Sequence, residues 1–293
     1  MAAMTATSPA ATGRVSRRSV RRLWPRALGW GLTALFLIWT VGPLYWMVAT
    51  SFKSGSQLFT NPPTYIPSFT LDNYREAFVN RPLLTYARNS LIVAGISTPL
   101  SVTIAALAAY AFGRYQFPGR GLMLFMILAI RMLPGLIVEL PLFLIFRSLG
   151  LVDSLLGLII AYTAFNLPFN IWLLQAFFAE IPRELEEAAI VDGASPLQVF
   201  WQIMIPMAVP GLVASAVLCL LLAWNEFSFA LILTYTLDSQ TLPIAIAGFS
   251  SERGTYFGAM AAAGTMAAVP VFIFAVFIQR YLVRGLTAGA IKG

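Results

Sequence analysis

The sequence predicts an all-α polytopic membrane protein, six transmembrane helices with a helical insert on the cytoplasmic side between the fourth and fifth spans. Three observations predict it. The 293 residues are 59% hydrophobic and 11% charged, a composition outside the soluble globular range. Six apolar runs, roughly 27–50, 89–113, 121–146, 154–179, 203–225 and 257–279, each reach the about 20 residues that cross a bilayer as a helix. The runs are continuous rather than alternating, which argues against a transmembrane barrel.

The chain opens on an Ala/Thr/Ser-rich stretch followed by Arg14, Arg17, Arg18, Arg21, Arg22 and Arg26. Residues 1–26 are expected to form a disordered, basic cytoplasmic arm. The segment SRRSVR is similar to a twin-arginine signal, but the apolar run behind it is about twice the length of a signal h-region. An uncleaved first span is therefore expected. Residues 51–88 follow outside, where TNPPTYIPSF gives way to a short helix that Thr70 or Asp72 would cap. After the second span, GRYQFPGR forms a short inner loop carrying Arg114 and Arg120.

The third span carries Arg131 and Glu139 around MLPGLIVE. Pro134-Gly135 predicts a kink, with freed backbone groups facing protein or a cavity. Eight residues of helix rise about 12 Å, so these two charges cannot meet in a straight helix. The fourth span holds Asn166 and Asn170 on one face, with Tyr162, Phe165, Phe169 and Trp172 around them. The fifth ends in AWNEF, with Asn225 and Glu226 inside the membrane run. Intramembrane charges are costly and mark functional or pairing positions. Arg131, Glu139, Asn166, Asn170, Asn225 and Glu226 are thus candidates for a solute path, and helix–helix bonding is the competing role for each. Rings and amides together suit sugars, although aromatic residues are common in membrane helices.

Inner segments 1–26, 114–120, 180–202 and 280–293 hold roughly twice as many Lys and Arg as the outer segments 51–88, 147–153 and 235–256, which predicts both termini in the cytoplasm. The net charge of +7 reads as this topological bias, not as a nucleic-acid surface. Histidine is absent and Cys219 stands alone in an apolar run. No disulfide framework, metal site, cofactor or catalytic residue is expected. Residues 27–284 read as one helical membrane domain and 285–293 as a cytoplasmic C-terminal tail.

The insert, 182–206, is the most informative stretch. Pro182 suits a first helical turn, and Glu184, Glu186 and Glu187 sit near the positive end of the helix dipole. Asp192-Gly193 ends that helix, Gly193 supplying a left-handed closing residue. Ser195, Pro196 and Gln198 start a second helix with a capping box. Small Ala188, Ala189, Gly193 and Ala194 permit close approach. From the residues alone, an interfacial hairpin packed on its own spans and a docking element for a cytoplasmic partner both fit.

EAAIVDGASPLQVFWQIMIP resembles the EAA motif of ATP-binding-cassette importer permeases: EAA, three residues, Gly, nine residues, then I-x-L-P. Glu187-Ala188-Ala189, Gly193, Ile203 and Pro206 fill it, and Ile205 stands where the pattern has Leu. AWNEF and the C-terminal RGLTAGAIKG resemble the carbohydrate, maltose-type subclass. The resemblance implies that the insert is a coupling helix seated on an ATPase, with Glu187, Ala188, Ala189, Asp192, Gly193 and Ala194 at the contact. It implies a sugar or sugar alcohol as solute and a bacterial cytoplasmic (inner) membrane as location. Its partners would be a second permease subunit in a heterodimer, two ATP-binding subunits, an extracytoplasmic solute-binding protein and membrane lipid. It also implies that the tail reaches between the ATPase subunits and that the loop before the last span faces the binding protein.

The chain carries no phosphate-binding loop, since neither Lys53 nor Lys292 follows the glycines of G-x-x-x-x-G-K-[ST]. ATP hydrolysis is expected on a separate subunit, and the chain is expected to be no enzyme. The rival readings are an ATP-independent secondary transporter, which would use intramembrane acids for ion coupling, and a permease for a non-carbohydrate solute.

Overall fold

A computed structural model describes residues 17–251 and 254–290, with side chains described for 28–135, 137–251 and 254–277. The expected arm lies outside the described residues over 1–16, as does the end of the tail over 291–293. Helix α1 (Arg17–Ser51) takes in the basic residues from Arg17 onward. A short helix α2 (72–80) ends in a wide π turn. There follow α3 (Leu83–Arg114), α4 (Arg120–Met132), α5 (Gly135–Ser148), α6 (Leu155–Glu180), α7 (Arg183–Val191), α8 (Pro196–Met207) and α9 (Val209–Trp224). Helices α10 (Ser228–Leu233) and α11 (Leu242–Ala247) precede a small hairpin, β1 (Ser250–Ser251) with β2 (Gly254–Thr255). Helix α12 (Phe257–Ala290) closes the described chain and runs on into the segment expected as a tail.

Among the described residues, four helices are long and apolar enough to cross a membrane alone, and two bent pairs bring the number to six. The first pair, α4 and α5, bends by 93°. Leu133 is extended, the conformation a following proline imposes, and Pro134 opens α5. The second pair, α8 and α9, bends by 76°. This departs from the expectation of one continuous run over 203–225. Pro206 and Pro210 each remove a backbone donor that a continuous helix would use. The span proper therefore starts at Val209, and the second arm of the insert reaches Met207.

The bundle is built on α3 and α6, its most extensive pairing. On α3 a small residue recurs every fourth position: Ser97, Ser101, Ala105, Ala109 and Gly113, all buried. In a bilayer, where lipid is as apolar as leucine, such small stripes let backbones approach closely. A Cβ at Gly113 would stand 3.2 Å from Phe178 Cβ and 3.3 Å from the Gln175 carbonyl. One apolar cluster lies where α3, α6 and α8 meet, and a second where α3, α6, α9 and α10 meet. A third joins α2, α3, α11 and α12.

The segments at the end opposite the insert are folded and pinned. Helix α2 starts after Leu71 with no side-chain cap, so neither Thr70 nor Asp72 plays the expected part. Asn73 instead donates from Nδ2 to the Ser51 and Lys53 carbonyls at 3.0 and 2.7 Å. Its side chain fills the space where a Cβ at position 258 would stand, which requires Gly258. Lys53 is buried with Nζ 3.7 Å above the Trp46 ring. The stretch 234–242 is stapled twice. Asn89 Nδ2 donates to the Leu237 and Gln240 carbonyls, and Ser90 Oγ accepts from Leu242 N–H. From the other side, Asp153 Oδ1 accepts from Tyr235 N–H, Thr236 N–H and the Ser239 hydroxyl.

Burial pushes the Asp153 carboxyl up, but these donors outweigh it and hold it at about 2. A depressed carboxyl stabilises the fold above its unfolded value near 3.9 and loses that contribution as pH falls through about 2. The staple is therefore complete throughout the neutral range. Asp153→Ala is expected to cost about 1–3 kcal/mol, with the loss constant between roughly pH 5 and 8, as read by thermal unfolding in detergent.

Candidate functional site

The insert folds as the sequence requires. Pro182 precedes α7, and Glu184 and Glu186 lie in its first turn. The helix closes in a Schellman turn: Gly193 N–H donates to the Ile190 carbonyl at 3.0 Å, and Ala194 N–H to Ala189 at 2.9 Å. Gly193 has φ +87°, a region open to glycine and costly for most side chains. Helix α8 starts at once with the expected box. Gln198 Oε1 accepts from Ser195 N–H, Ser195 Oγ accepts from Gln198 N–H, and Pro196 sits in the first turn.

The two faces of this elbow differ. One is held by an ion pair, Arg114 Nε to Glu186 Oε2 at 3.2 Å, in which Arg114 is buried (4% exposed) and Glu186 half-buried (15%). Tyr110 donates its hydroxyl to Glu186 Oε1 at 2.7 Å. The Tyr110 ring packs against Phe178, Phe200 and Tyr115, and Arg114 Nη2 reaches Met204 Sδ at 3.8 Å. Arg114, expected as a loop charge, is thus the buried anchor of the insert. The other face is open. Glu187, Ala188, Asp192 and Gly193 are exposed, and so are the apolar Leu185, Ile190 and Leu197, while Val191 is 86% exposed. Ala189 and Ala194 differ from the other coupling candidates, because they pack partly on the chain's own core. Exposed apolar residues therefore lie on both sides of the sharp turn at Gly193.

The intramembrane candidates separate into distinct roles. Asn170 is fully buried, donating to Ser101 Oγ at 3.0 Å and accepting from Ser215 Oγ at 2.8 Å. It joins α3, α6 and α9, the helix–helix bonding that the sequence offered for this residue beside a path role. Asn166, one turn away, is buried with Oδ1 unbonded, as are the hydroxyls of Ser97, Thr98 and Thr163. Glu226 lies beyond the end of α9 rather than within the span, and its carboxylate caps α10, accepting from Phe229 N–H at 2.9 Å and Ala230 N–H at 3.2 Å. A carboxylate suits this capping position because acids favour helix N-termini.

Asn225 is exposed and donates to the Leu221 carbonyl at 2.8 Å. With Trp224 and Phe227 it lines a cavity of about 250 Å³ against α11. Arg131 stacks its guanidinium 4.0 Å over the Phe165 ring, which meets Phe229 edge-on at 5.1 Å. Glu139 is buried at the start of α5, with Oε1 2.8 Å from where a Cβ on Gly135 would stand. Arg131 and Glu226 therefore share the neighbourhood of Phe229, whereas Asn225 faces a separate cavity and Asn170 lies in the α3–α6 seam. Arg114 and Tyr110 escaped sequence reasoning because their partner, Glu186, is more than seventy residues away along the chain. Arg114 at a helix end, opposite an acid-rich insert, was the available signal.

Residues 101–288 match the family described as "Binding-protein-dependent transport system inner membrane component". The chain is 40% identical to the trehalose transport system permease protein SugB of Mycobacterium tuberculosis, over 92% of this chain and 98% of that one. It is 36% identical to the trehalose/maltose transport system permease protein MalG of Thermococcus litoralis, over 86% and 91% of the two chains. Among solved structures, a chain of a bacterial ABC transporter that imports the acidic polysaccharide alginate shares the fold. Its TM-score is 0.76, at 24% identity, over 92% of this chain and 99% of that one.

Proposed function

Because the chain belongs to the binding-protein-dependent transport system inner membrane components, the permease subunits of ATP-binding-cassette importers, we propose that it forms one half of a pore admitting a sugar or sugar alcohol. It is a multi-pass inner-membrane subunit and not an enzyme; ATP hydrolysis lies on separate subunits. The trehalose and trehalose/maltose systems of its relatives support the sugar assignment. In this reading the pore is a heterodimer with a second permease chain, driven by two ATP-binding subunits and supplied by an extracytoplasmic solute-binding protein. Both termini lie in the cytoplasm, on the side of the insert.

One observation carries the coupling assignment: an elbow with exposed apolar residues is fastened to the bundle by an ion pair to the buried Arg114. An ATPase pressing on Glu187, Ala188, Ala189, Asp192, Gly193 and Ala194 would load α7 and α8 together. Through Glu186 that load passes to Arg114 and Tyr110 at the end of α3, and through α8 to the bend before α9. Opening then follows as rigid movement of packed helices. Among the polar candidates for contact with solute, we favour Asn225 and the Arg131–Phe165 stack, because neither is held by a hydrogen bond between helices among the described residues.

The test is co-purification in mild detergent, followed by ATP-dependent uptake of a panel of sugars and polyols in proteoliposomes with the binding protein. Uptake by the chain alone, without ATP, would overturn the proposal. Glu226→Gln keeps one cap oxygen and exchanges the other for a donor. The expected result is a loss of about 1 kcal/mol in stability with an unchanged KM for uptake; a shifted KM would return Glu226 to the path.

A further inference from the structure

At the far end of α3 from the insert, Arg81 lines a cavity of about 400 Å³ with Tyr86, Gln240, Gly248 and Phe249. Its guanidinium lies 4.5 Å over the Phe249 ring and 5.6 Å from the Tyr256 ring centre. One hydrogen bond is fixed, Nη1 to the Gly248 carbonyl at 2.8 Å. A guanidinium carries five N–H donors in a planar fork, so most of this fork is uncommitted among the described residues. Among the described residues the one ion pair is Arg114–Glu186, and Arg81 has no carboxylate partner.

The cavity is a preformed socket. Its walls are the first turn of α3 and the helix α11, and α11 is held in place by Asn89, which donates to the Leu237 and Gln240 carbonyls before it, and by Ser90, whose Oγ accepts from its first N–H at Leu242. The ring stack holds the cation in position and shields it from part of the solvent, which strengthens any charge-assisted bond made there. The planar fork matches a carboxylate in two-point geometry.

We infer that this socket receives an acidic side chain of the extracytoplasmic binding protein, and that Arg81 is its anchor. The inference rests on the proposed function, which sets the docking partner on this side. A protein side chain is favoured over a free acid because the two rings beside the guanidinium, Phe249 and Tyr256, directly precede β1 and follow β2, so the socket adjoins the exposed hairpin, a surface that a protein partner can cover. Engagement there bears directly on α11 and on the end of α3.

The experiment measures binding of the binding protein to the assembled, reconstituted transporter at low and high salt. Arg81→Gln retains a donor for Gly248 but removes the charge, and Arg81→Lys retains the charge but loses the fork. Arg81→Gln is expected to raise Kd about tenfold or more at 50 mM salt, with the difference shrinking at 500 mM as screening grows. Arg81→Lys should fall between the two, and a charge swap, Arg81→Glu with an acid-to-Arg change on the partner, should restore binding. Docking by Arg81→Gln with the wild-type Kd, while sugar uptake is retained, would overturn the inference and leave the proposed function standing. Failure of the wild-type assembly to dock any binding protein would overturn both. A free hexuronate that binds the transporter in an Arg81-dependent way, with docking unaffected, would overturn the protein source in favour of an acidic solute. Should Arg81→Gln fail to assemble, Arg81→Lys decides, since an unchanged Kd there is incompatible with two-point recognition.

Discussion

Arg114→Ala is expected to destabilise the protein by about 1–3 kcal/mol, because it leaves the half-buried Glu186 without its cationic partner. Glu186 accepts one hydrogen bond, from the Tyr110 hydroxyl, and lies 3.2 Å from Arg114 Nε as an ion pair without hydrogen-bond geometry, so the charge, and not a second hydrogen bond, is what the substitution removes. Thermal unfolding in detergent measures the loss, and protease cleavage within 183–193 shows whether it is local to the insert. Glu186→Gln should cost less, since the amide still accepts from Tyr110 and loses the charge that made burial expensive. Replacing both partners with apolar residues of similar volume should recover most of the stability. The coupled readout discriminates further: ATP hydrolysis by the assembled complex should persist while uptake falls. Stability of Arg114→Ala within about 0.5 kcal/mol of wild type would mean that the ion pair does not anchor the insert.

Gly193→Trp is expected to uncouple ATP hydrolysis from uptake by tenfold or more, and here the chain itself supplies little of the effect. A side chain at Gly193 meets nothing of this protein within 4 Å. The internal cost is the left-handed backbone, about 1–2 kcal/mol for a residue with a Cβ. Any larger loss therefore reports a surface supplied by another subunit. Gly193→Asn is the control, because asparagine tolerates this backbone region and adds little bulk. It should retain most uptake. Full transport by Gly193→Trp would remove the coupling assignment.

The local grammar of the insert was legible because it depends on neighbours in sequence. Pro182, Gly193 and the Ser195–Gln198 box each act within one turn, and each is found where short-range chemistry puts it. The break at Pro134-Gly135 was legible for the same reason. The bend at Ala208 was not anticipated, since Pro206 and Pro210 stand in an unbroken apolar run and hydropathy registers no interruption. Side-chain partners were the least legible. Glu226 and Asn170 look alike as polar groups in a membrane. Yet one caps a helix three residues on and the other joins three helices through Ser101 and Ser215. Which of these a polar residue becomes depends on the facing helix, and a single sequence does not display its faces.

Helix α3 has 32 residues, with Pro99 inside it and no break, and so extends about 48 Å. One end adjoins the Arg81 socket, and the other carries the Arg114–Glu186 fastening. A stiff rod of that length turns small rotations into large strokes: pivoting by about 5° at one end sweeps the other through roughly 4 Å. In the proposed orientation, a nudge from outside the cell and a thrust from within would thus register at opposite tips of a single strut, with no relay of intervening parts required.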